Sequence, residues 1–382
     1  MRAEDKNSAT SLSLLDRILA KRDQLISSDG FRRWASAFPL TRPIAQRRAR
    51  ALFDICAGFV YSQVLLTCVR LNLFEILAEG PKSMAELSPR LGLTPDATER
   101  LIRAAISLGL VAKRSQQRFG LGQLGAAMVG NEAVKSMVEH HSIFYKDIED
   151  PVALLKVAPG TQTTQLSRYW PYAGAAQPDT LDSAQVIGYS KLMSESQALI
   201  ASEILDAYPM NRHQCLLDVG GGAGTFLIAA ATRHANLHVK LFDLPAVAEI
   251  ASARFAEVGI AGRAEAFGGD FVGSPLPTGA DVISLIRVAF DHPDDKVLDI
   301  LRAIRKIMPV HGTLLVAEPM AGTIGAEAMG DAYFGFYLLA MGRGRSRTVG
   351  ELSALLNEAG FGRIKVARTR MPLQTKLIIA NI

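Results

Sequence analysis

A glycine cluster near the middle of the chain has the residue types of a ligand-binding turn. Residues 216–219 are apolar except for Asp218, and four of the five residues 220–224 are glycine. This order is typical of a strand, a tight turn and a helix. Glycine permits positive φ and lets a ligand approach the backbone, while the N–H groups at the start of the helix point at the ligand. The stretch therefore predicts a nucleotide-type binding turn.

The turn departs from the dinucleotide fingerprint Gly-x-Gly-x-x-Gly or Ala, because Thr225 takes the third place after Gly220 and Gly222. Asp218, at the end of the strand, suits a cationic or amine-bearing ligand better than a pyrophosphate. An NAD-dependent oxidoreductase is therefore disfavoured. A purely structural turn is the alternative. Asp243 argues against it, since an acid about 20 residues beyond such a turn binds ribose hydroxyls.

The C-terminal half alternates predicted strands and helices, which favours a parallel sheet with helices on both faces. Ligands of such sheets bind outside the carboxyl ends of the strands. Polar residues stand at those ends: Asp243, Asp270, Arg287 and Glu318 follow successive strands. Asp270 could accept a hydrogen bond from an exocyclic amine, and the ring of Phe271 could stack on a purine. The predicted strands are 215–219, 238–242, 264–267, 281–286, 312–317, 363–367 and 376–381.

Residues 83–121 have the pattern of a winged helix-turn-helix. Ser83 and Glu86 form a capping box before a first helix, and Thr94 starts a second. Two strands of a wing are predicted at 110–113 and 118–121.

The same pattern occurs in DNA-binding proteins, where the second helix enters the major groove. Here that helix opens with Asp96 and Glu99, which would face phosphates. We therefore predict a packing and dimerisation module and no nucleic-acid partner. Residues 49–77, apolar on nearly all sides, are typical of a helix buried between helices or subunits, which favours a homodimer.

Composition bounds the class of protein. The 382 residues are 49% hydrophobic and 21% charged, as in a folded soluble chain of two ordinary domains. The three cysteines are scattered, which argues against disulfides and structural zinc, and no metal site is predicted. No uncharged apolar run reaches about 18 residues and no signal-peptide pattern occurs, so we predict a cytoplasmic protein.

The formal charge of +5 is spread unevenly along the chain. Arginines crowd one stretch near the N-terminus. This basic patch could contact nucleic acid or an anionic membrane, or form a solvated basic leader. We keep peripheral contact with the inner membrane as a hypothesis. The crowded arginines are Arg32, Arg33, Arg42, Arg47, Arg48 and Arg50.

The order of short motifs resembles the S-adenosylmethionine-dependent O-methyltransferases of the plant and acetylserotonin type. The motifs are Asp-Val-Gly-Gly-Gly-x-Gly, Phe-Asp-Leu-Pro, Gly-Gly-Asp-x, Asp-x-x-Asp-Asp and Ala-Glu-Pro. The resemblance covers roughly residues 50–382. It implies a winged-helix dimerisation domain, a class I methyltransferase domain and S-adenosyl-L-methionine as cofactor.

By position, the resemblance implies a set of cofactor-binding residues. Asp218 would face the methionine end, Asp243 would hold ribose, Asp270 and Phe271 would hold adenine, and Arg287 would contact the cofactor. The remaining implied positions are Gly220, Gly222, Gly224, Leu244 and Gly269.

At a finer level the chain is similar to the bacterial carotenoid O-methyltransferases of purple phototrophs, which methylate the tertiary C-1 hydroxyl of an acyclic carotenoid such as hydroxyneurosporene or demethylspheroidene. The stretches that carry this similarity are 147–155, 168–172, 317–322 and 329–337. It implies an apolar carotenoid alcohol as substrate and a place in carotenoid biosynthesis for photosynthesis. The aromatic run 333–341 would suit such a substrate, or would serve as a core helix.

The chain departs from the family at the catalytic base. Where the family has a His-Asp-Trp triplet, this chain has Phe290, Asp291 and His292. Loss of the alcohol's proton still needs a general base. The candidates are His141 or its neighbour His140, then His292, with Glu318, which matches the family's acidic partner, orienting or accepting.

We therefore predict an α/β, Rossmann-like class I methyltransferase domain at 206–382, a helical winged-helix dimerisation and substrate-capping domain at 46–205, and a basic extension at 1–45. A C-methyltransferase of bacteriochlorophyll biosynthesis is the rival within the class. A winged-helix transcriptional regulator with a cofactor-sensing domain is the rival outside it. The intact acids and glycines argue against that regulator.

Overall fold

The structure, a computed structural model, describes residues 13–158, 160–161, 163–169, 197, 199–271, 273–372 and 375–382, so the motif residues 170–172 lie outside the described chain. Internal contacts divide the protein into two compact units, Met1–Ala127 and Met128–Ile382. This division differs from the predicted boundary between 205 and 206. The reason is that helices following residue 128 pack on the C-terminal part of the chain.

The N-terminal unit consists of helices and one antiparallel hairpin. The helices and strands predicted for residues 83–121 are confirmed, including the capping box of Ser83 and Glu86. The helices are α1 (Leu14–Ser27), α2 (Asp29–Ala37), α3 (Arg42–Arg70), α4 (Leu73–Ala78), α5 (Met84–Leu91), α6 (Pro95–Ser107) and α7 (Gln123–Ala126). The strands are β1 (Val111–Lys113) and β2 (Phe119–Leu121).

The apolar run 49–77 is divided between two helices. Asn72 adopts φ 50° between α3 and α4, and α4 is buried whereas most of α3 is exposed. By length and composition alone α3 could cross a membrane, although only 17% of its most apolar stretch is buried. An exposed apolar helix of this kind can also be covered by another chain.

The second unit begins with three helices, α8 (Glu132–Asp147), α9 (Pro151–Lys156) and α10 (Gln165–Tyr169). Phe144, Leu154 and Leu166 from these helices are buried together with Phe290 and Tyr337 from the C-terminal part of the chain. This shared apolar cluster is the physical reason that the helices belong to the second unit.

A seven-stranded sheet forms the centre of the second unit, in the order β5-β4-β3-β6-β7-β9-β8. All strands lie within one residue of their predicted bounds. Five neighbouring strands pair in parallel, whereas β9 runs antiparallel to β7 and to β8. The strands are β3 (Cys215–Val219), β4 (His238–Asp243), β5 (Ala264–Gly268), β6 (Val282–Ile286), β7 (Thr313–Glu318), β8 (Arg363–Ala367) and β9 (Lys376–Asn381).

Helices cover both faces of the sheet, as predicted. Alternate residues of β3 point to opposite faces: Leu216 joins one apolar cluster and Leu217 the other. A helical segment at 199–207 comes first along the chain. The helices after it are α11 (Thr225–Arg233), α12 (Pro245–Glu257), α13 (Asp294–Ile307), α14 (Phe334–Met341) and α15 (Val349–Glu358). A π-helical turn, Ala328–Tyr333, precedes α14. The predicted α/β fold with a mostly parallel sheet is thereby confirmed, and its parallel strands end at one common edge.

Candidate active site

The glycine turn after β3 is shaped by both backbone conformation and packing. Gly220, Gly222 and Gly224 have φ values of 72°, 57° and 77°, where L side chains are strained. A Cβ atom on Gly220 would lie 2.6 Å from Val288, and one on Gly224 would lie 2.5 Å from the ring of Phe255. Apart from its chain neighbours, no atom of the described residues lies within 4 Å of the corresponding position on Gly222. The middle glycine therefore leaves space in which a ligand can approach the backbone.

Asp243 ties the end of β4 to this turn. Its Oδ2 accepts the N–H of Gly222 at 2.8 Å, and its Oδ1 accepts the N–H of Leu244 at 2.7 Å. Burial raises the pKa of Asp243 to about 6. Because each carboxylate oxygen can accept a second hydrogen bond, the side chain is able to hold two neighbouring hydroxyls.

Asp218 offers an unsatisfied acceptor beside the same turn. Its side chain is almost fully buried and its Oδ1 accepts the hydroxyl of Ser284 at 2.6 Å, while Oδ2 has no hydrogen-bond partner among the described residues. Burial, assisted by the charge of Asp243, raises the pKa of Asp218 to about 7. A buried acceptor of this kind is complementary to an ammonium group.

Phe271 stands beside the turn, on the loop that follows β5. Its ring packs 6.2 Å from that of Phe242 and meets the ring of His292 edge-on at 5.9 Å. The preceding Gly269 donates its N–H to the carbonyl of Asp243, and a Cβ there would lie 2.7 Å from Phe242. The fold thus gathers the predicted adenine-binding residues at the same edge as the glycine turn. Asp270, next to Phe271, is half-buried there.

His292 therefore lies on the side of the site where Phe271 stands. Burial, together with the positive charges of Arg347 and Arg343, lowers the pKa of His292 to about 4. The ring is neutral at physiological pH, but its nearest aromatic neighbour is the residue expected to hold a purine.

Glu318 holds the loop that follows β6. It is 2% exposed, and its Oε1 accepts the N–H groups of Val288 (3.1 Å) and Ala289 (2.8 Å). Its Oε2 has no partner among the described residues. Burial and the neighbouring Asp291 raise the pKa of Glu318 to about 8, so the carboxyl is largely protonated at neutral pH. Its contacts make it a positioning residue for the loop.

The loop held by Glu318 starts with Arg287, which adopts φ 56° and donates its N–H to the carbonyl of Ala317. A left-handed conformation in a non-glycine residue is strained and is characteristic of functional sites. The charge of Arg287 acts on Asp291, whose pKa burial nevertheless raises to about 7. The Oδ1 of Asp291 is a third buried oxygen of the site with no partner in the described chain, after those of Asp218 and Glu318.

Phe290, at the position of the family's histidine, serves packing. It is 4% exposed, belongs to the apolar cluster of α8 and α14, and meets Phe334 edge-on at 5.8 Å. An imidazole in this place would have to lie among hydrocarbon side chains. Phe290 therefore has the surroundings of a core residue, in keeping with its lack of a titratable group.

Arg347 fixes the same loop and was not predicted from sequence. Its buried guanidinium donates to the carbonyls of Ala289 (2.6 Å) and His292 (2.7 Å) and pairs with Asp294 at 2.6 Å. The only signal in the sequence is the alternation of arginines at 343, 345 and 347. Nothing in that alternation identifies the buried member.

Two histidines of α8 are paired with tyrosines. His141 Nε2 lies 2.8 Å from the hydroxyl of Tyr333, and His140 Nε2 lies 2.7 Å from that of Tyr337. Burial lowers the pKa of both imidazoles, that of His140 to about 4. Both rings are neutral at physiological pH, and His141 is the less buried of the two.

Family models match most of the chain. Residues 168–362 match an O-methyltransferase domain and residues 53–131 match an O-methyltransferase dimerisation domain. The chain belongs to the O-methyltransferase family. As predicted, this chain is an S-adenosylmethionine-dependent O-methyltransferase, and its dimerisation domain supports a homodimer.

Named relatives support the assignment. The demethylspheroidene O-methyltransferase of Cereibacter sphaeroides is 40% identical over 90% of this chain and 89% of its own length. The acetylserotonin O-methyltransferase of Mus musculus is 29% identical over 86% of this chain and 87% of its own length. The crystal structure of human N-acetylserotonin methyltransferase in complex with SAM shares the fold, with a TM-score of 0.71 at 23% identity over 87% of this chain and 97% of that one.

The residues of this O-methyltransferase fit the methyl donor. The unpartnered Oδ2 of Asp218 suits the ammonium of a methionine moiety, and the open space at Gly222 admits a ligand to the backbone. Among the described residues, no group of three His, Cys, Asp or Glu side chains could hold a metal ion.

Proposed function

We propose that this enzyme methylates the tertiary C-1 hydroxyl of an acyclic carotenoid. The observation that carries the proposal is the 40% identity to a demethylspheroidene O-methyltransferase over nearly the whole chain. The aromatic and aliphatic cluster formed by α8, α14 and Phe290 supports it, since an apolar acceptor needs an apolar wall.

We also propose roles for the residues around the turn. Asp243 accepts the ribose hydroxyls, Asp270 and Phe271 hold adenine, Asp218 holds the ammonium, and Arg287 contacts the cofactor. The backbone at Gly220, Gly222, Gly224, Leu244 and Gly269 lines the remainder. These roles follow from the open space at Gly222 and from the unpartnered oxygen of Asp218.

Among the candidate residues, His141 has the best support as the general base. S-adenosylmethionine supplies a methyl group on a sulfonium, and holding the acceptor oxygen in line with it lowers the barrier. The acceptor must also lose a proton. His292 packs against Phe271, and Glu318 is engaged with two backbone N–H groups, whereas His141 is neutral and bonded to the half-buried Tyr333.

A labelled-methyl assay tests the proposed function. The enzyme is given methyl-labelled S-adenosylmethionine with a panel of hydroxylated carotenoids in detergent, and with bacteriochlorophyll precursors as the C-methylation alternative. We expect label on the tertiary C-1 hydroxyl of an acyclic carotenoid. Label on a carbon atom, or none on any carotenoid while the cofactor binds normally, would overturn the assignment.

We further propose that this cytoplasmic protein meets the inner membrane through its first helices. Residues 13–50 carry nine basic and three acidic side chains, an excess of six positive charges, whereas the whole chain has a net charge of +5. All of the positive excess therefore lies in one stretch. That stretch precedes residue 53, where the dimerisation model begins.

Apolar side chains accompany these charges. Leu14, Ile18 and Leu25 fall on one stripe of α1 and are more than half exposed. Phe31 and Trp34 of α2 form a row with Phe38, the residue that caps the helix, and the rings of Trp34 and Phe38 are stacked at 5.3 Å and exposed. Basic helices with exposed leucine and tryptophan bind the surface of anionic bilayers. A second copy is a poorer occupant, because a symmetric interface would bring the two positive patches together.

Vesicle flotation of the full-length dimer tests this contact. We expect binding to vesicles of phosphatidylglycerol and phosphatidylcholine, release by salt, and no binding to pure phosphatidylcholine. Reversing Arg47 and Arg48 to Glu should weaken binding about tenfold or more, since each charge near the surface contributes about 1 kcal/mol. The matched control reverses Arg363 and Lys365, which are exposed on β8.

Three outcomes would contradict the membrane proposal. The first is equal binding to neutral vesicles. The second is binding that salt does not reverse, as expected if α3 spanned the membrane. The third is a double variant, Trp34→Ala and Phe38→Ala, that dissociates the dimer instead of losing vesicle binding.

A further inference from the structure

The two tyrosine–histidine pairs differ in their surroundings. Tyr337 is 6% exposed and His140 9% exposed, and both are enclosed by the apolar cluster. Tyr333 and His141 are only partly buried. Chemically identical pairs thus occupy an inner and an outer position. The inner pair joins α14 to α8 within the cluster, whereas both members of the outer pair keep part of their surface exposed.

The outer tyrosine is held in place by an unusual backbone turn. Tyr333 is the last residue of the π-helical turn Ala328–Tyr333. Such turns are rare in proteins as a whole, and those that occur are often at functional sites. A Cβ on Gly330 of this turn would lie 2.7 Å from the carbonyl of Met320, and Asp331 accepts the N–H of Gly322 at 3.0 Å. The turn is therefore fastened to the loop that follows β7.

Ring contacts link Tyr333 to the loop that follows β6, since the ring of Phe334 lies 5.0 Å from that of Tyr333 and 5.8 Å from that of Phe290. The positive charge of Arg287 acts on Tyr333, Asp291 and Glu318 alike. Burial nevertheless raises the pKa of Tyr333 to about 12, so the phenol keeps its proton in the resting enzyme. A neutral imidazole 2.8 Å away can accept that proton.

We propose that Tyr333 is a catalytic residue that relays the acceptor's hydroxyl proton to His141. The proposal rests on O-methylation of an alcohol. The acceptor oxygen bonds to the methyl carbon as the carbon–sulfur bond breaks and its electron pair stays on sulfur. The acceptor's proton passes to the Oη of Tyr333, whose own proton passes to Nε2 of His141. The imidazolium then loses its proton to solvent, and every atom and charge is accounted for.

Kinetics of matched variants test the relay. We expect Tyr333→Phe to lower kcat about 100-fold, in the range of general acid–base catalysis, with an unchanged Kd for S-adenosylmethionine. Tyr208→Phe is the matched control and should keep its rate, because the hydroxyl of Tyr208 lies 2.8 Å from Nε2 of His213, before β3 and outside the proposed site. Because Tyr333 and His141 act in series, the double variant Tyr333→Phe, His141→Ala should be no slower than either single variant. A Tyr333→Phe enzyme with a wild-type rate, or losses that multiply, would overturn the relay.

A second measurement is independent of the acceptor. Nitrogen-15 NMR of labelled histidine reports which ring nitrogen of His141 carries the proton. The relay requires a proton on Nδ1 and a bare Nε2 that accepts from Tyr333 at neutral pH. A proton on Nε2 would refute the relay even if the acceptor is another alcohol. Failure of every carotenoid in the labelled-methyl assay would refute the substrate alone.

Discussion

Asp243→Asn is expected to weaken S-adenosylmethionine binding about 100-fold, since a hydrogen bond to a charged group is worth about 1.5–3 kcal/mol. The carboxylate accepts the N–H groups of Gly222 and Leu244. An amide of the same size retains one acceptor and turns a donor toward the other N–H. The variant therefore disturbs the turn as well as losing an acceptor for ribose. Isothermal titration calorimetry with the cofactor measures the change.

Asp281→Asn is the matched control. Asp281 also accepts backbone N–H groups, from Gln214 and Cys215, but it stands before β6, at the opposite edge of the sheet. We expect Asp281→Asn to lower stability and to leave the affinity for the cofactor unchanged. Equal loss of affinity in both variants would mean that the effect is one of folding and would contradict the assignment of Asp243.

The glycine turn and the acids proposed to bind the cofactor could be predicted to converge because their signals in the sequence are local. Glycines with positive φ at 220, 222 and 224 are required by the chain's own conformation. Asp218 and Asp243 lie at the ends of strands, and apolar runs in the sequence show where those strands end. Parallel strands bring their carboxyl ends together whatever the loops contain, so strand order was enough to predict that these side chains converge.

The acceptor half was not predictable in the same way, because its contacts join distant segments. His141 meets Tyr333 across 192 residues, and Arg347 meets Ala289 across 58. Helical periodicity shows which face of α8 is apolar but not which element covers it. The predicted boundary at 205 and 206 failed to match the compact units for the same reason, since α8 is covered by α14.

The pH dependence of stability is expected to change when Glu318 is replaced by Gln. The folded state raises the pKa of Glu318 to about 8, above the usual value of about 4.3 for an exposed glutamate. Its contribution to stability is therefore complete at low pH and is lost as the pH rises through about 8. Between about pH 5.5 and 7.5 this single group should lower the free energy of unfolding by about 2 kcal/mol, because the folded state binds one more proton than the unfolded state.

Glutamine has the size of glutamate and keeps a carbonyl oxygen for the N–H groups of Val288 and Ala289. Glu318→Gln should therefore fold, and its free energy of unfolding should not show the decrease between about pH 5.5 and 7.5 that Glu318 causes. The contributions of Asp218, Asp243 and Asp291 to the pH dependence of stability should remain, because the pKa values of these groups are also raised. Urea denaturation at the two pH values measures the difference, with Glu265→Gln on exposed β5 as the control. An unchanged slope in Glu318→Gln would show that Glu318 is ionised in the folded protein, and the carboxylate would then regain its standing as a proton acceptor.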